Sequence, residues 1–246
     1  MSLGLGIVNE LLETPVDWLP NEESLATPLH LWLQHNVDVA TGSWLDSSNK
    51  NNEATQTTSA NQPTLSHGGL NFDQSGGGSS KQFLDLGTTI EIAADSAFTF
   101  SFVFSVTETS NETILSDGNN EFLEIINDKK LRFKGDKPSI RTSVLESDAE
   151  IFARNTKMIM TLLRPTGGTL SLLINAAQIE LNESTTNQTN AHGLDITNIG
   201  SRNDNDRFFS GLLSEMILYK QELTTKQLSK LHNYLSEKHN IKSFHL

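Results

Sequence analysis

Three carboxylates alternate along one short segment of the chain, Glu146-Ser147-Asp148-Ala149-Glu150. On a β-strand, alternate side chains share a face, so the three acids would point to the same side. Two carboxylates about 5 Å apart serve as nucleophile and acid/base in a retaining glycoside hydrolase. The intervening residues are Ser and Ala, which are poor core residues, and the segment lies in a polar connection. We therefore expect a solvated loop at 146–150 and predict no catalytic residue and no enzyme.

Calcium binding is a second chemistry that this sequence could support, because Ca²⁺ prefers carboxylate, amide and carbonyl oxygens. The segment 202–206 alternates Asn and Asp, and Asn203, Asp204 and Asp206 are its predicted ligands. It lacks the Gly and the downstream Glu of an EF-hand. Turn formation explains the same residues, since Asn and Asp tolerate positive φ. Both interpretations stay open, and calcium is the one cofactor that the sequence suggests.

Glycan binding is a third chemistry, and it needs an aromatic platform beside polar groups because sugar rings have apolar faces. Trp44 lies in a polar loop with Asp46 and Asn49, and a second polar loop contains Asp117 and Asn119. These five residues are the predicted glycan-binding set, and the acids and amides in it are further calcium candidates. The competing interpretation is that Trp44 packs on the edge of the core.

Composition excludes several other classes of protein. The chain has 18 Lys+Arg against 30 Asp+Glu, a formal net charge of -12, and no dense run of basic residues. Nucleic acid and anionic membranes are therefore not expected as partners. The chain has no cysteine, which excludes disulfides and thiolate metal sites. Its seven histidines form no pair four residues apart with a glutamate between them, so neither a zinc site nor a catalytic triad is predicted.

The elements that must position these groups are mostly strands. In the segment 97–106, Phe98, Phe100, Phe102, Phe104 and Val106 fall on one side. Strict alternation of this kind predicts a half-buried antiparallel strand whose apolar face is covered by a second sheet. Further strands are predicted at 29–33, 69–73, 83–87, 113–116, 121–126, 130–133, 157–164, 169–175 and 211–219.

The two ends of the chain differ from this β pattern. Leu228, Leu231, Tyr234 and Leu235 follow helical spacing, and Thr224 begins a capping box, which predicts a helix at 224–239. Residues 1–28 form an arm with three prolines, and its apolar residues are expected either to dock on a partner protein or to pack on their own domain. The predicted docking residues are Leu5, Ile7, Val8, Leu11, Leu12 and Trp18. No signal peptide is recognised at the start, so synthesis in the cytoplasm is expected.

The C-terminal half carries landmarks of a known family in the family's order. They are Ile199-Gly200-Ser201-Arg202, then Phe209-Ser210-Gly211-Leu212-Leu213-Ser214-Glu215-Met216-Ile217-Leu218-Tyr219, then the segment 223–241. At the front, the loop from Trp44 to Thr55, Gln62-Pro63-Thr64 and Leu70-Asn71-Phe72-Asp73 match further landmarks. Residues 29–241 thus resemble laminin-G-like, concanavalin-A-like jelly-roll domains of the kind found in phage and bacterial surface proteins.

This resemblance implies an all-β, two-sheet antiparallel jelly-roll sandwich at 29–246 with one C-terminal helix. Relatives of this shape bind glycans, serve as accessory modules or decorate phage particles and cell surfaces. We expect a non-enzymatic structural or adhesion module of a large assembly, either a phage virion (decoration, tail or fibre-associated) or a bacterial surface protein. Residues 1–28 would attach it to a protein partner, and the outward face would bind a cell-surface glycan. The alternatives are a calcium-assisted carbohydrate-binding module and a glycoside hydrolase.

Overall fold

A computed structural model describes residues 18–74, 81–108, 111–118, 121–126, 129–135, 143–183, 193–202 and 207–242. The helical elements are the short helix α1 (Glu23–Ala26), a 3₁₀ turn (Ser59–Asn61) and the long helix α2 (Thr225–His239), which follows the last strand. The strands in the first half are β1 (Leu29–Leu33), β2 (Val39–Ala40), β3 (Ser43–Trp44), β4 (Ala54–Thr55), β5 (Thr64–Ser66), β6 (Gly69–Phe72), β7 (Leu84–Ile92), β8 (Phe98–Val106) and β9 (Glu112–Asp117). Those in the second half are β10 (Glu121–Ile126), β11 (Lys130–Gly135), β12 (Ser143–Ser147), β13 (Met158–Arg164), β14 (Ser171–Ile174), β15 (Ala177–Ile179), β16 (Leu181–Glu183), β17 (Leu194–Ile199) and β18 (Gly211–Tyr219).

Over the described residues these strands form two antiparallel sheets. The first has eight strands in the order β15-β14-β13-β8-β18-β6-β5, with β1 paired to β18. The second has ten strands in the order β16-β12-β11-β10-β9-β17-β7-β4-β3-β2. This arrangement confirms the predicted all-β sandwich with one C-terminal helix. The three central segments predicted at 113–116, 121–126 and 130–133 pair in sequence as the meander β9-β10-β11.

The core between the sheets is built around β8, as its alternation predicted. Its four phenylalanines and Val106 all lie in one large apolar cluster with residues from both sheets. The opposite face of β8 is buried too, which the prediction of a half-buried strand missed. A second apolar cluster covers that face, because α2 and the segment before β1 pack over the eight-stranded sheet.

The end of the predicted docking arm belongs to this second cluster. The Trp18 ring meets the Tyr234 ring edge-on with their centroids 6.0 Å apart. The Tyr219 hydroxyl donates a hydrogen bond to the Pro20 carbonyl at 2.9 Å. Trp18 therefore packs on its own domain, contrary to its predicted docking role, and the jelly roll includes residues before position 29. The other predicted docking residues, Leu5, Ile7, Val8, Leu11 and Leu12, lie outside the described residues.

Helix α2 begins where the sequence predicted. The Thr224 side chain accepts a hydrogen bond from the Gln227 backbone N–H, and the Gln227 side chain accepts one from the Thr224 N–H, so the capping box is complete. Asn240, in the left-handed conformation, ends the helix. Within the described part of the chain, no helix has the length and apolar character needed to cross a bilayer.

Candidate functional site

The outer face of the ten-stranded sheet is unusual along β10. Leu123 and Ile125 point into the core, so the alternate residues Phe122, Glu124 and Ile126 point away from it. An outward row is normally exposed to water, yet these three side chains are all buried. Basic side chains lie over Phe122 and Glu124 and exclude solvent from them.

Glu124 is the centre of this arrangement. Its side chain is fully buried and contacts three arginines that reach it from two directions. Arg202 Nη1 lies 3.1 Å from Oε1, Arg207 Nη1 lies 3.0 Å from Oε2, and Arg132 Nη1 lies 3.9 Å from Oε2. Glu146 balances part of this charge, since its Oε1 accepts from Arg132 Nε at 2.8 Å.

Phe122 lies beside Glu124 and is covered by two cations. The Arg202 guanidinium stands 4.4 Å from the Phe122 ring centroid, and the Lys134 ammonium stands 5.3 Å from it. Both distances are within the range in which a ring face attracts a cation. Arg202 thus contacts Glu124 and Phe122 together, which fixes the position of its guanidinium.

We call the set Lys130, Arg132, Lys134, Arg202 and Arg207 the basic face. The three residues from β11 alternate with the core residues Leu131 and Phe133, so they share the outer side of the sheet. The arginine side chains remain 17–31 % exposed. Glu124 and Glu146 are the carboxylates that the described ion pairs join to this face. The chain as a whole carries -12.

A bulge in β9 shapes the neighbouring strand. Leu115 pairs with Leu123, but Thr113 pairs with Glu124, so Ile114 is the extra residue. Because the bulge shifts the alternation, Thr113 turns outward, with its hydroxyl 3.4 Å from Glu124 Oε1.

The same shift puts Glu112, which pairs with Ile125, on the interior side of the sheet. Glu112 is 1 % exposed and accepts one hydrogen bond, from the Ser210 N–H at 3.2 Å. Its Oε1 has no hydrogen-bond partner among the described residues. Burial raises the pKa of Glu112 to about 8, so this carboxyl is mostly protonated at neutral pH.

The structure does not support Trp44 as a sugar platform. Its side chain is completely buried, and its indole N–H donates to the Gln34 carbonyl at 3.1 Å. These contacts match the competing interpretation of the sequence, in which Trp44 packs on the edge of the core. Asp46 organises the adjacent turn, because its carboxylate accepts from the backbone N–H groups of Trp32, Ser48 and Asn52.

The remaining predicted site residues do not assemble around Trp44. Asn49 is exposed with a φ of 64°, which suits a turn. Asp117 accepts from the Thr197 hydroxyl at 3.1 Å. Asn119 lies outside the described residues, as do the predicted calcium ligands Asn203, Asp204 and Asp206. Within the described part of the chain, no group of three or more His, Asp or Glu side chains is arranged to hold a metal ion.

Only the second part of the acidic segment 146–150 is the loop that we expected. Strand β12 ends at Ser147, so Glu146 lies in the sheet and joins the basic face through Arg132. Asp148 Oδ1 accepts from the Asn182 side chain at 3.1 Å, and Glu150 pairs with Lys129 at 3.4 Å. Since each acid has a different partner, the described contacts contain no pair resembling a nucleophile and an acid/base.

The basic face was not predicted from the sequence, although part of its signal was local. The run Lys130-Leu131-Arg132-Phe133-Lys134 alternates strictly, and this pattern alone places three cations on one side of a strand. Arg202 was noticed only in a family landmark and at the start of an Asn/Asp-rich segment, and Arg207 was not singled out. Their approach to Glu124 depends on sheet topology that no local pattern shows.

Comparisons with known proteins fit this architecture. The sequence profile of the concanavalin A-like lectin/glucanases superfamily, in its laminin-G-like form, matches residues 76–229, more than half of the chain. The chain belongs to this superfamily. No curated protein matches the sequence. The match takes in β8, β10, β11 and the arginines at 202 and 207, so the basic face lies inside the superfamily domain.

Solved structures similar to this concanavalin A-like domain include the receptor binding domain of botulinum neurotoxin D (TM-score 0.57, 15% identity). The binding domain of Paraclostridial Mosquitocidal Protein 1 is similar with a TM-score of 0.59 and 14% identity. The botulinum neurotoxin serotype D ligand binding domain in complex with N-acetylneuraminic acid gives 0.58 and 14%. The matches cover 85–86% of this chain but only 52–53% of those chains, so the domain spans about half of each. At this identity the likeness concerns the fold.

Proposed function

We propose that this domain is a non-enzymatic glycan-binding module and that the glycan binds over the basic face. The observation that carries the proposal is the cluster of three partly exposed arginines fixed around the buried Glu124. Guanidinium groups held in one place donate directional hydrogen bonds to oxygen-rich ligands at a low entropic cost. The superfamily includes lectins, and one similar solved structure is described as a complex with a sugar acid.

Phe208 supplies the aromatic element of this proposal. Among the described aromatic residues, only Phe208 and Tyr234 are not fully buried. Tyr234 packs on Trp18 and Trp32 beneath α2, and its hydroxyl donates to Glu215, so its ring is committed to structure. Phe208 directly follows Arg207 and is the remaining described ring that can contact a sugar.

A non-catalytic role agrees with the contacts that the carboxylates make. Glu146, Asp148 and Glu150 each interact with a different partner, and the buried Glu124 is surrounded by cations. The similar solved structures are described as receptor-binding and ligand-binding domains. Hydrolysis is the rejected alternative, and incubation with β-glucans should release no reducing sugar.

A glycan array probed with the purified chain, once with calcium and once with a chelator, tests the proposal. We expect binding that survives the chelator and that falls at least tenfold in Phe208→Ala. The matched control is Trp44→Phe, which changes a buried ring and should leave binding intact. Binding that disappears with the chelator would instead support calcium ligands in the 203–206 segment. An array without any signal would contradict glycan binding.

The wider setting that we propose is an outward-facing module of a larger assembly, either a phage virion or a bacterial surface structure. The domain spans about half of each similar structure, as expected for one part of a larger binding unit. Docking would fall to the residues before Trp18, since Trp18 itself packs on the domain. A chain of residues 18–246 should keep its melting temperature and be lost from the particle or surface fraction of the source organism. Its full retention there would contradict docking by the arm.

A further inference from the structure

We propose that mild acid releases helix α2 from the eight-stranded sheet while the rest of the sandwich stays folded, and that His232 and His35 sense the change in pH. The basic face lies on the other sheet, so this inference goes beyond the proposed glycan binding and does not depend on it. It rests on how α2 is attached, on the surroundings of the two rings and on the charges around them.

Helix α2 is attached to the sheet through side chains. Among the described residues, no backbone hydrogen bond joins α2 to a strand. Its apolar contacts come from Leu228, Leu231 and Leu235, which belong to the second apolar cluster. Because α2 follows the last strand, its release breaks no strand pairing. An element attached in this way can open locally while the sheets remain intact.

His232 lies in the interface between α2 and the sheet and is 2 % exposed. Its Nε2 is 2.9 Å from the Thr161 hydroxyl, which is 2.8 Å from the Ser101 hydroxyl. Its Nδ1 is buried and has no hydrogen-bond partner among the described residues. An imidazolium donates from both ring nitrogens, so a proton on His232 would place a charged N–H in this interface without an acceptor.

The free energy of α2 docking therefore depends on the protonation of His232. Burial lowers the pKa of this ring to about 4, and its polar contacts from β8 and β13 are uncharged hydroxyl groups. In released α2 the ring is in water and has its ordinary pKa of 6.5. The released helix binds a proton that the docked helix excludes, so docking is strongest above pH 6.5. Docking weakens by about tenfold for each unit of pH between 6.5 and 4.

His35 belongs to the loop between β1 and β2 and contacts the end of α2. Its ring meets the His239 ring edge-on with their centroids 4.7 Å apart. The Nδ1 atoms of both rings are buried without a hydrogen-bond partner among the described residues. Burial is the main cause that lowers the pKa of His35, to about 4, and His239, Lys238 and Lys157 lower it further. Glu215 acts in the opposite direction.

A charge on His35 would act directly on α2. Lys238 and His239 are both residues of α2, and both already contact the one carboxylate of Glu215. A protonated His35 adds a further cation beside them and repels Lys238. Release of α2 relieves this repulsion and exposes the His35 ring to water. His232 on the helix and His35 on the opposite side of the interface therefore both favour release in acid.

The buried carboxyl groups do not produce this effect between pH 6.5 and 5.5. Burial would raise the pKa of Glu215, but His239 and Lys238 hold it below its ordinary value of 4.5. Glu215 thus stays mostly ionised in this range whether α2 is docked or released. Glu112 lies on β9 in the other sheet, so it stays buried when α2 leaves. Release in this range is therefore assigned to the histidines.

Hydrogen–deuterium exchange with mass spectrometry tests the inference at pH 7.5, 6.5 and 5.5, after correction for the intrinsic effect of pH on exchange. We expect the protection of α2 amides to fall at least tenfold from pH 7.5 to 5.5, while that of β8 and β10 amides changes less than threefold. A dye that fluoresces on apolar surfaces should bind over the same range, because release uncovers Val103, Ile159 and Ile217. Unchanged protection of α2 would overturn the inference, as would an equal loss in β8 and β10.

Variants assign the effect to the two histidines. His232→Gln keeps a hydrogen-bonding group near Thr161 and cannot take up a proton in this range. In the double variant His35→Gln, His232→Gln, the change in α2 protection between pH 7.5 and 5.5 should be less than threefold. The single variant His35→Gln replaces a partly exposed ring and should reduce the change at least threefold, so the test does not depend on replacing the buried His232.

The matched control is His67→Gln, because His67 is exposed in the turn between β5 and β6. This variant should show the same pH-dependent loss of α2 protection as the wild type. A wild-type response in His35→Gln or in the double variant would overturn the assignment to His35 and His232. An equal reduction of the response in His67→Gln would overturn it too.

Discussion

The Trp32 indole N–H donates a hydrogen bond to Glu215 Oε1 at 2.8 Å, joining residues 183 positions apart in the chain. Glu215 lies in β18 and is fully buried, and α2 supplies its other partners. The Tyr234 hydroxyl donates at 3.0 Å, Lys238 Nζ lies 3.1 Å from Oε2, and His239 Nε2 lies 2.7 Å from Oε2. One carboxylate therefore joins the first strand, a central strand and the last helix.

Glu215→Gln should lower the free energy of unfolding by about 2–4 kcal/mol, because the partly buried Lys238 would lose its counter-charge and the buried side chains around Glu215 would lose a charged hydrogen-bond acceptor. Urea denaturation at pH 7 measures this loss. Glu237→Gln, an exposed change on the same helix, is the control and should cost less than about 0.5 kcal/mol. Comparable losses in the two variants would show that Glu215 is not a structural centre.

The contacts of Glu215 also predict that the stability of the fold depends on pH in the acid range. Burial alone would raise the pKa of Glu215, but the hydrogen bond from His239 and the charge of Lys238 outweigh it and hold the pKa below its ordinary value. A lowered carboxyl pKa contributes stability above the ordinary pKa and loses it as the pH falls through the folded-state pKa. The difference in stability between wild type and Glu215→Gln should therefore shrink below about pH 4. A difference that is constant from pH 3 to 7 would contradict this linkage.

Glu112 predicts the opposite trend. Its pKa is raised by burial to about 8, so the unfolded chain releases this proton near pH 4.5 while the folded chain keeps it. Stability is therefore lost as the pH rises between these values, and Glu112→Gln should remove that loss. The variant should be more stable than wild type by about 1–3 kcal/mol at pH 8.5 and equal to it near pH 4. Thermal melts across this range measure the effect, and the exposed change Glu222→Gln should show none of it.

Much of the fold was readable from the sequence, and the residues show why. The alternation of the phenylalanines in β8 and the Thr224 capping box are local patterns, and local patterns predicted both elements correctly. The burial of the outer side of β8 was missed because its cover, from Trp18 to Leu235, comes from both ends of the chain. Distant contacts of this kind leave no periodic signal.

The candidate site was less readable for two physical reasons. Glu124 attracts Arg202 and Arg207 across 78 and 83 positions, and sequence spacing says nothing about such contacts. The bulge at Ile114 also reverses the alternation of β9, so that Glu112 turns inward against the pattern of a regular strand. The sequence left the role of Trp44 open because a buried tryptophan and an exposed one look alike within a polar loop.

Trp44 gives a prediction that separates structure from binding. Trp44→Phe keeps most of the buried ring but loses the hydrogen bond to the Gln34 carbonyl, so it should cost about 1–3 kcal/mol of stability. Glycan affinity at 25 °C should stay within twofold of wild type, because the ring is completely buried. Thermal melts and anisotropy titrations on one protein sample test both statements. A large loss of affinity in a well-folded variant would return Trp44 to the binding site.

Glu124 and Glu146 provide a matched pair on the basic face. Glu124 is fully buried among three arginines, whereas Glu146 is 25 % exposed in its side chain and contacts Arg132. Glu124→Gln should cost about 2–4 kcal/mol, because the guanidiniums would then repel one another without a central anion. Glu146→Gln should cost less than about 1 kcal/mol, as expected for a partly exposed pair.

Salt distinguishes repulsion from a simple packing defect in these variants. If the arginines repel one another once Glu124 is neutral, part of the loss should be recovered between 20 mM and 500 mM NaCl, because salt screens partly exposed charges. Urea denaturation at the two salt concentrations measures the recovery. Equal losses in the two variants, unaffected by salt, would mean that the arginines do not depend on Glu124 for their arrangement. The basic face would then be a set of separate surface pairs, too loosely held to present fixed donors to a ligand.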